Sequence, residues 1–199
     1  DIRTPGFLVK CIKEVQPDLV YYLVSFFSFN DIDNYTSSIK NSLICLHNLF
    51  ENLDSEQRLV FIGSSAQYGK VPVHLQPVHE NIGFYPVSPY GVFKIFEEYE
   101  IRRLADKHNI DIVGARIFNV TGPGEPTRMV GGSIVSQLKK SNKVNMGNLF
   151  PKRDFLDVRD VANALIFIGN KGKSNEIYNI CSGKSISIKY YLQLIVKEL

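Results

Sequence analysis

The sequence has no strong excess of charge of either sign, no long apolar run and no paired cysteines. A net charge of +3 is too small to argue for a nucleic-acid partner, and the lysines are spread along the chain rather than clustered. No apolar run reaches the roughly 18 residues that a membrane-spanning helix needs, and the opening DIRTPGFL does not have the form of a signal peptide. The reading is therefore of a protein with neither nucleic acid nor membrane as partner. Cys11, Cys45 and Cys181 are far apart, odd in number and without C-x-x-C spacing. They read as reduced core thiols of a cytoplasmic protein. The four histidines are equally scattered, so the sequence gives a metal site little support. Internal repeats and low-complexity segments are also absent.

What is present is ordinary globular composition, 44% hydrophobic and 22% charged over 199 residues. That is enough chain to bury a sizeable core. Short β-rich runs at 18–24, 58–63 and 111–117 are bounded by turn residues. Between the first two, Ile39, Leu43, Leu46, Leu49, Phe50 and Leu53 recur at helical spacing and predict a helix over 35–53. Between the second and third, 88–108 reads as a helix, with Ser88 as its cap and Pro89 in its first turn. Glu97, Glu98 and Glu100 would face Arg102 and Arg103 across later turns. Strand and helix alternating at these lengths is the pattern of βαβ units in a parallel sheet, where ligands collect at the carboxyl ends of strands. Ser64 and Ser65 sit just past the second strand, and NVTGPG (119–124) lies just past the third.

The segment YGVFK (90–94) puts Tyr90 and Lys94 one helical turn apart on one face. An ammonium beside a phenol favours the phenolate, lowering its pKa from about 10 towards neutrality. Such a tyrosine can exchange a proton at an alcohol or sugar carbon, with a serine hydroxyl holding the reacting oxygen. Beyond Gly124 the pieces shorten. A helix is expected at 133–140 and a strand at 143–146, then a helix capped by Asp157 that runs to about Gly169 with Gly172 as its stop. A strand at 176–180 and a last helix from about Ser187 complete a small lobe.

GSSAQYG (63–69), PVSPYGVFK (86–94), RIFNVTGPGE (116–125), RDFLDVRDVANAL (153–165) and EIYNICSG (176–183) occur in that order. Together they resemble the extended short-chain dehydrogenase/reductase family of sugar-nucleotide enzymes, and within it the GDP-4-dehydro-6-deoxy-mannose reductases. The resemblance implies an α/β fold with a Rossmann-like parallel sheet at 1–125 and a small substrate lobe at 126–199, contributions that can interleave. It implies NADP or NAD as cofactor, a nucleotide sugar as substrate and a homodimer. Tyr90 would be the acid/base and Lys94 would bind the nicotinamide ribose. Ser64, four residues before Tyr68, would be the serine, with Ser65 as second choice. Asn119 would contact the substrate, Phe118 would lie near the nicotinamide, and Arg153 would grip the diphosphate through its planar fork. Asp1 and Ile2 match a position against the adenine. The dimer would pack the helices over 35–53 and 88–108, and Phe93, Phe96 and Ile101 suit either that interface or the sheet.

Each assignment has a plainer rival. For Lys94 the rival is a solvated helix lysine, for Ser64 and Ser65 turn residues, and for Asn119 a turn residue before Gly122. Arg153 reads as a surface partner of Asp154 or Asp157, Phe118 as core, and His74 and His79 as solvated loop residues. Tyr21, Tyr22, Phe26, Phe27 and Phe29 read as sheet and core aromatics. The chain also departs from the family. The G-x-x-G-x-x-G turn that receives a cofactor pyrophosphate is absent, so the sequence reads as an N-terminally truncated Rossmann fold, weak at best in binding dinucleotide by itself. Family dehydratases place an Asp-Glu pair after the serine, but here those positions are Ser65 and Ala66, or Ala66 and Gln67. Without a carboxylate there, dehydration is disfavoured. Reduction of a 4-keto sugar nucleotide leads, a 4-epimerase follows, and an inactive nucleotide-sugar-binding relative or fragment is the reading from another class.

Overall fold

The computed structural model describes residues 1–4, 6–27 and 34–198. Its elements in order are α1 (Phe7–Val15), β1 (Leu19–Tyr22), α2 (Tyr35–Phe50), β2 (Arg58–Ser64), α3 (Pro89–His108), β3 (Asp111–Ile117) and β4 (Asn119–Thr121). They continue with α4 (Val130–Leu138), β5 (Lys152–Asp157), α5 (Val158–Lys171), β6 (Ile177–Ile180), β7 (Ser185–Ser187) and α6 (Ile188–Glu198). Packing divides the chain into two compact units, Asp1–Ile117 with Leu165–Asn179, and Phe118–Ala164 with Ile180–Leu199.

The first unit is built on the parallel sheet, in the strand order β1-β2-β3-β6. Arg58 pairs in register with Asp111 and Ser64 with Ile117, which puts the carboxyl ends of β2 and β3 side by side. Leu46, Leu49 and Phe50 from α2 and Ile101, Leu104 and Ala105 from α3 bury against Leu59, Phe61 and Ile112 of the sheet. Leu8 and Ile12 of α1 pack on the same core. The sequence reading did not predict α1, a helix of nine residues with no side-chain cap.

One expectation about α2 needs correction, and a choice left open for α3 is decided. The buried stripe of α2 runs through Ser38, Ser42, Cys45, Leu46, Leu49 and Phe50, leaving Ile39 and Leu43 only half-buried. The inward serines have polar partners: Ser38 Oγ donates to the Phe26 carbonyl at 3.0 Å, and Ser42 Oγ to Glu97 Oε1 at 2.7 Å. Phe93 and Ile101 are buried within the unit and offer no dimer surface, whereas Val92 and Tyr99 of the same helix are exposed. Of the aromatics read as core, Tyr22 is buried and Phe26 and Phe27 are half-buried, while Phe29 lies outside the described residues.

The second unit carries a three-stranded sheet in the order β4-β5-β7, with β4 and β5 parallel and β5 and β7 antiparallel. The strand expected at 143–146 is not one. Its backbone bonds instead to side chains near the end of α4. The Asn145 N–H donates to Gln137 Oε1 at 2.8 Å, and the Lys143 N–H donates to Ser141 Oγ at 3.3 Å. Asp157 does cap α5, its Oδ1 accepting the Arg159 N–H at 2.8 Å. Hydrogen bonds from Arg159 hold the Asp157 carboxyl down to about 2.

Candidate active site

In the first unit, β2 ends on Ser64, and a single 3-10 turn, Ser65–Gln67, follows at once. Ser64 Oγ accepts the Ala66 N–H at 3.2 Å, so the turn-capping role read for the serine is present. Helix α3 starts close by. Its cap is Ser88, whose Oγ accepts the Gly91 N–H at 3.2 Å. Gly91 is what allows the approach: a Cβ there would stand 2.4 Å from the Ala66 carbonyl oxygen. The helix that carries Tyr90 and Lys94 in its first turns is thereby packed directly on the turn that follows Ser64. Tyr90 is half-buried, and its ring centroid lies 5.4 Å from that of Phe27. Ser65 is half-buried at the start of the turn.

Lys94 is not a solvated helix lysine. It is only 4% exposed, and its ammonium donates to Glu97 Oε2 at 2.8 Å. Glu97 takes the Ser42 hydroxyl on its other oxygen, so a lysine, a carboxylate and a serine form a buried polar cluster between α2 and α3. The Tyr22 phenol is affected by the same cluster. Burial, and then the Glu97 charge, push its pKa well above the usual tyrosine value. Glu98, next along, pairs with Arg116 of β3, its oxygens accepting from Nε at 3.0 Å and Nη2 at 2.6 Å. The expected pairing of the helix glutamates with Arg102 and Arg103 holds closely only for Glu100 and Arg103, whose hydrogen bonds lower the Glu100 pKa. Glu97 and Glu98 are inside: Glu97 is held by Lys94 of the same helix and Ser42 of α2, and Glu98 by Arg116 of β3. For Arg116, burial works against the charge, but bonds to Glu98 and Tyr68 more than offset it and raise its pKa.

Asp1 is exposed and ion-paired with Arg3, and Ile2 packs on the edge of the core. His74, in a short 3-10 turn (Val73–Leu75), and His79 are exposed. Cys45 is buried, which raises the pKa of its thiol, and Cys11 and Cys181 are half-buried. The described residues contain no cluster of metal-ligating side chains, and no helix among them is long and apolar enough to cross a membrane.

In the second unit, Phe118 is half-buried rather than core. Asn119 is not a turn residue. It sits in β4, paired in register with Phe155, and its Nδ2 donates to the Asp154 carbonyl at 2.9 Å. Arg153 is exposed on β5 and donates to the Lys152 carbonyl at 2.7 Å. It pairs with neither expected aspartate, because Asp154 accepts from Ser182 and Asp157 from Arg159. Sequence reasoning also missed a cleft of about 710 Å3 whose lining includes Thr121, Gly122, Glu125, Lys139, Lys140 and Tyr191. Thr121 Oγ1 donates to Glu125 Oε2 at 3.0 Å, and the Tyr191 hydroxyl bonds to Thr121.

A parallel α/β sheet of Rossmann type, with the helix that carries Tyr90 and Lys94 starting on the turn after Ser64, defines the class. Residues 1–181 match the NAD dependent epimerase/dehydratase family, and the chain belongs to it. A GDP-6-deoxy-D-mannose reductase from Pseudomonas aeruginosa is 30% identical over 142 residues, 68% of this chain and 47% of that protein. A putative UDP-glucose 4-epimerase from Methanocaldococcus jannaschii is 33% identical over 147 residues, 71% of this chain and 47% of that one. The solved structure of RMD from Pseudomonas aeruginosa complexed with NADPH aligns with a TM-score of 0.89 at 27% identity, covering 99% of this chain and 69% of that one. The chain thus spans about half the length of the curated relatives it matches, 47% of each of the two named here.

Proposed function

We propose that the protein carrying this chain is an NAD(P)-dependent sugar-nucleotide oxidoreductase that reduces a 4-keto-6-deoxy nucleotide sugar at C4. The observation that carries the reading is the packing of Tyr90 and Lys94, through Gly91, onto the turn after Ser64. The likeness to a GDP-6-deoxy-D-mannose reductase supports the choice of sugar class. In this reading Tyr90 gives its proton to the C4 oxygen while Ser64 holds that oxygen by a hydrogen bond. A bound nicotinamide dinucleotide supplies the hydride. The buried Lys94 ammonium has three donors and Glu97 takes one, a donor set that fits the hydroxyls of a ribose. Ser65 and Asn119 contact the sugar, Phe118 lies against the nicotinamide, Arg153 meets the diphosphate, and Asp1 and Ile2 border the adenine. A homodimer through α2 and α3 belongs to the same reading, with exposed Ile44, Val92 and Tyr99 as its apolar surface.

A 4-epimerase is the second reading, favoured by the likeness to a putative UDP-glucose 4-epimerase. Purified full-length protein separates the two. Loss of one equivalent of reduced cofactor per keto sugar is expected. Interconversion of nucleotide sugars with no net cofactor consumption would overturn the reductase. Binding of nucleotide sugar with no turnover of either kind would point to the non-catalytic relative.

A further inference from the structure

The turn after Ser64 is joined to the centre of the first unit by a single amide. Gln67 is fully buried. Its Oε1 accepts the Ser64 N–H at 2.7 Å, and its Nε2 donates to Glu98 Oε2 at 2.7 Å. Glu98 lies on α3, two turns beyond Tyr90, and is held there by the two-pronged bond from Arg116. Arg116 also donates through Nη1 to the Tyr68 hydroxyl at 2.9 Å and to the Glu80 carbonyl at 2.8 Å, and the Tyr68 hydroxyl donates to Asn179 Oδ1 at 2.7 Å. The strand end makes room for the amide: a Cβ at Gly63 would stand 2.6 Å from Gln67 Oε1.

Capping alone does not call for this arrangement. The Ser64 hydroxyl already serves the turn through the Ala66 N–H, and a cap needs only the acceptor half of the amide. The donor half leaves the turn for another element. Among side chains, only a neutral group with both a donor and an acceptor can join a backbone N–H to a carboxylate. A fully satisfied buried network of this kind is rigid. Its effect is to fix the backbone of Ser64 to the helix that carries Tyr90.

We propose that Gln67 is a positioning residue that sets the Ser64 hydroxyl against Tyr90 by tying the Ser64 amide to Glu98. The inference rests on the acid/base reading of Tyr90 given above. Its test is keto-sugar reduction by the full-length protein carrying Gln67→Met, Gln67→Glu or Tyr90→Phe. Gln67→Met keeps length and removes both bonds. Its kcat is expected to fall about tenfold to a hundredfold, the scale of a small misplacement of reacting groups, with both KM values near wild type. Gln67→Glu supplies the rescue. As a neutral acid its O–H donates to Glu98 and its carbonyl oxygen accepts from Ser64; ionised, it faces Glu98 as a second carboxylate. The charged and titratable groups around that position are Glu98 and Arg102 from α3, Arg116 from β3, Tyr68 on the turn and Glu80 in the following loop. Activity of Gln67→Glu relative to wild type should therefore rise as pH falls, while the Gln67→Met ratio stays flat. Should Gln67→Met fail to fold, Gln67→Glu carries the test alone. Wild-type kcat in Gln67→Met, or a folded Gln67→Glu whose ratio ignores pH, would overturn the inference and leave the acid/base reading standing if Tyr90→Phe is inactive. Full turnover in Tyr90→Phe would overturn both.

Discussion

Replacing Glu97 by alanine removes the countercharge of a lysine that water cannot reach. The Lys94 and Glu97 side chains are 5% and 4% exposed, their charged atoms are 2.8 Å apart, and Ser42 occupies the other carboxylate oxygen at 2.7 Å. An exposed pair of this spacing would contribute about 0–1 kcal/mol. Burial changes the sum, because the surviving ammonium has lost its hydration and gains nothing in return. Breaking a buried pair at one end costs about 3–5 kcal/mol. With urea m-values of about 1–3 kcal/mol/M, the unfolding midpoint should fall by about 1–5 M. Lys94→Met removes the stranded charge, so the double variant should be more stable than the two single losses predict, by about 0.5–3 kcal/mol. Urea titrations of the four proteins in this cycle provide the check. A loss below about 1 kcal/mol for Glu97→Ala, the range of surface pairs, or strict additivity in the cycle, would refute the argument.

Two further outcomes follow from local geometry. Gly91→Ala puts a methyl 2.4 Å from the Ala66 carbonyl oxygen, a backbone atom with little freedom to yield. Overpacking of about 1–3 kcal/mol should outweigh the roughly 1 kcal/mol that alanine gains in a helix, and both melting temperature and turnover should fall; a more stable variant of full activity would contradict this. Asp157 has a carboxyl held at about 2 in the folded chain, below its ordinary value of 3.8. A depressed folded value gives stability above the unfolded pKa that is lost as pH falls through the folded one. The melting difference between wild type and Asp157→Ala should therefore be full at neutral pH and shrink between about pH 4 and pH 2; a difference that grows on acidification would be the wrong sign.

Local pattern was legible where it is decided by neighbours in the chain. Strand β3 occupies the predicted 111–117, and Ser88 and Asp157 cap α3 and α5 as their residue types suggest. The charged interior was not legible. Glu97 looks like one of a surface trio until Ser42, 55 residues earlier, turns inward to meet it. Arg116 sits in an apolar strand, DIVGARI, where a buried arginine signals a hidden carboxylate without naming it. Gln67 carried no signal of its own beyond its place beside Tyr68. The second unit failed in another way. Residues 143–146 have a strand's composition, but side chains of Gln137 and Ser141 take up their backbone groups before any ladder can. The candidate serine, tyrosine and lysine were readable because helix spacing and strand ends are short-range facts. What holds them is long-range.

The most direct test of the proposed chemistry is turnover of a 4-keto nucleotide sugar by full-length Tyr90→Phe, beside its equilibrium binding of the same compound. Loss of the hydroxyl should lower kcat by about 10²–10⁴, the range for a positioned acid/base group, with sugar-nucleotide affinity unchanged. Wild-type kcat in Tyr90→Phe would contradict the account.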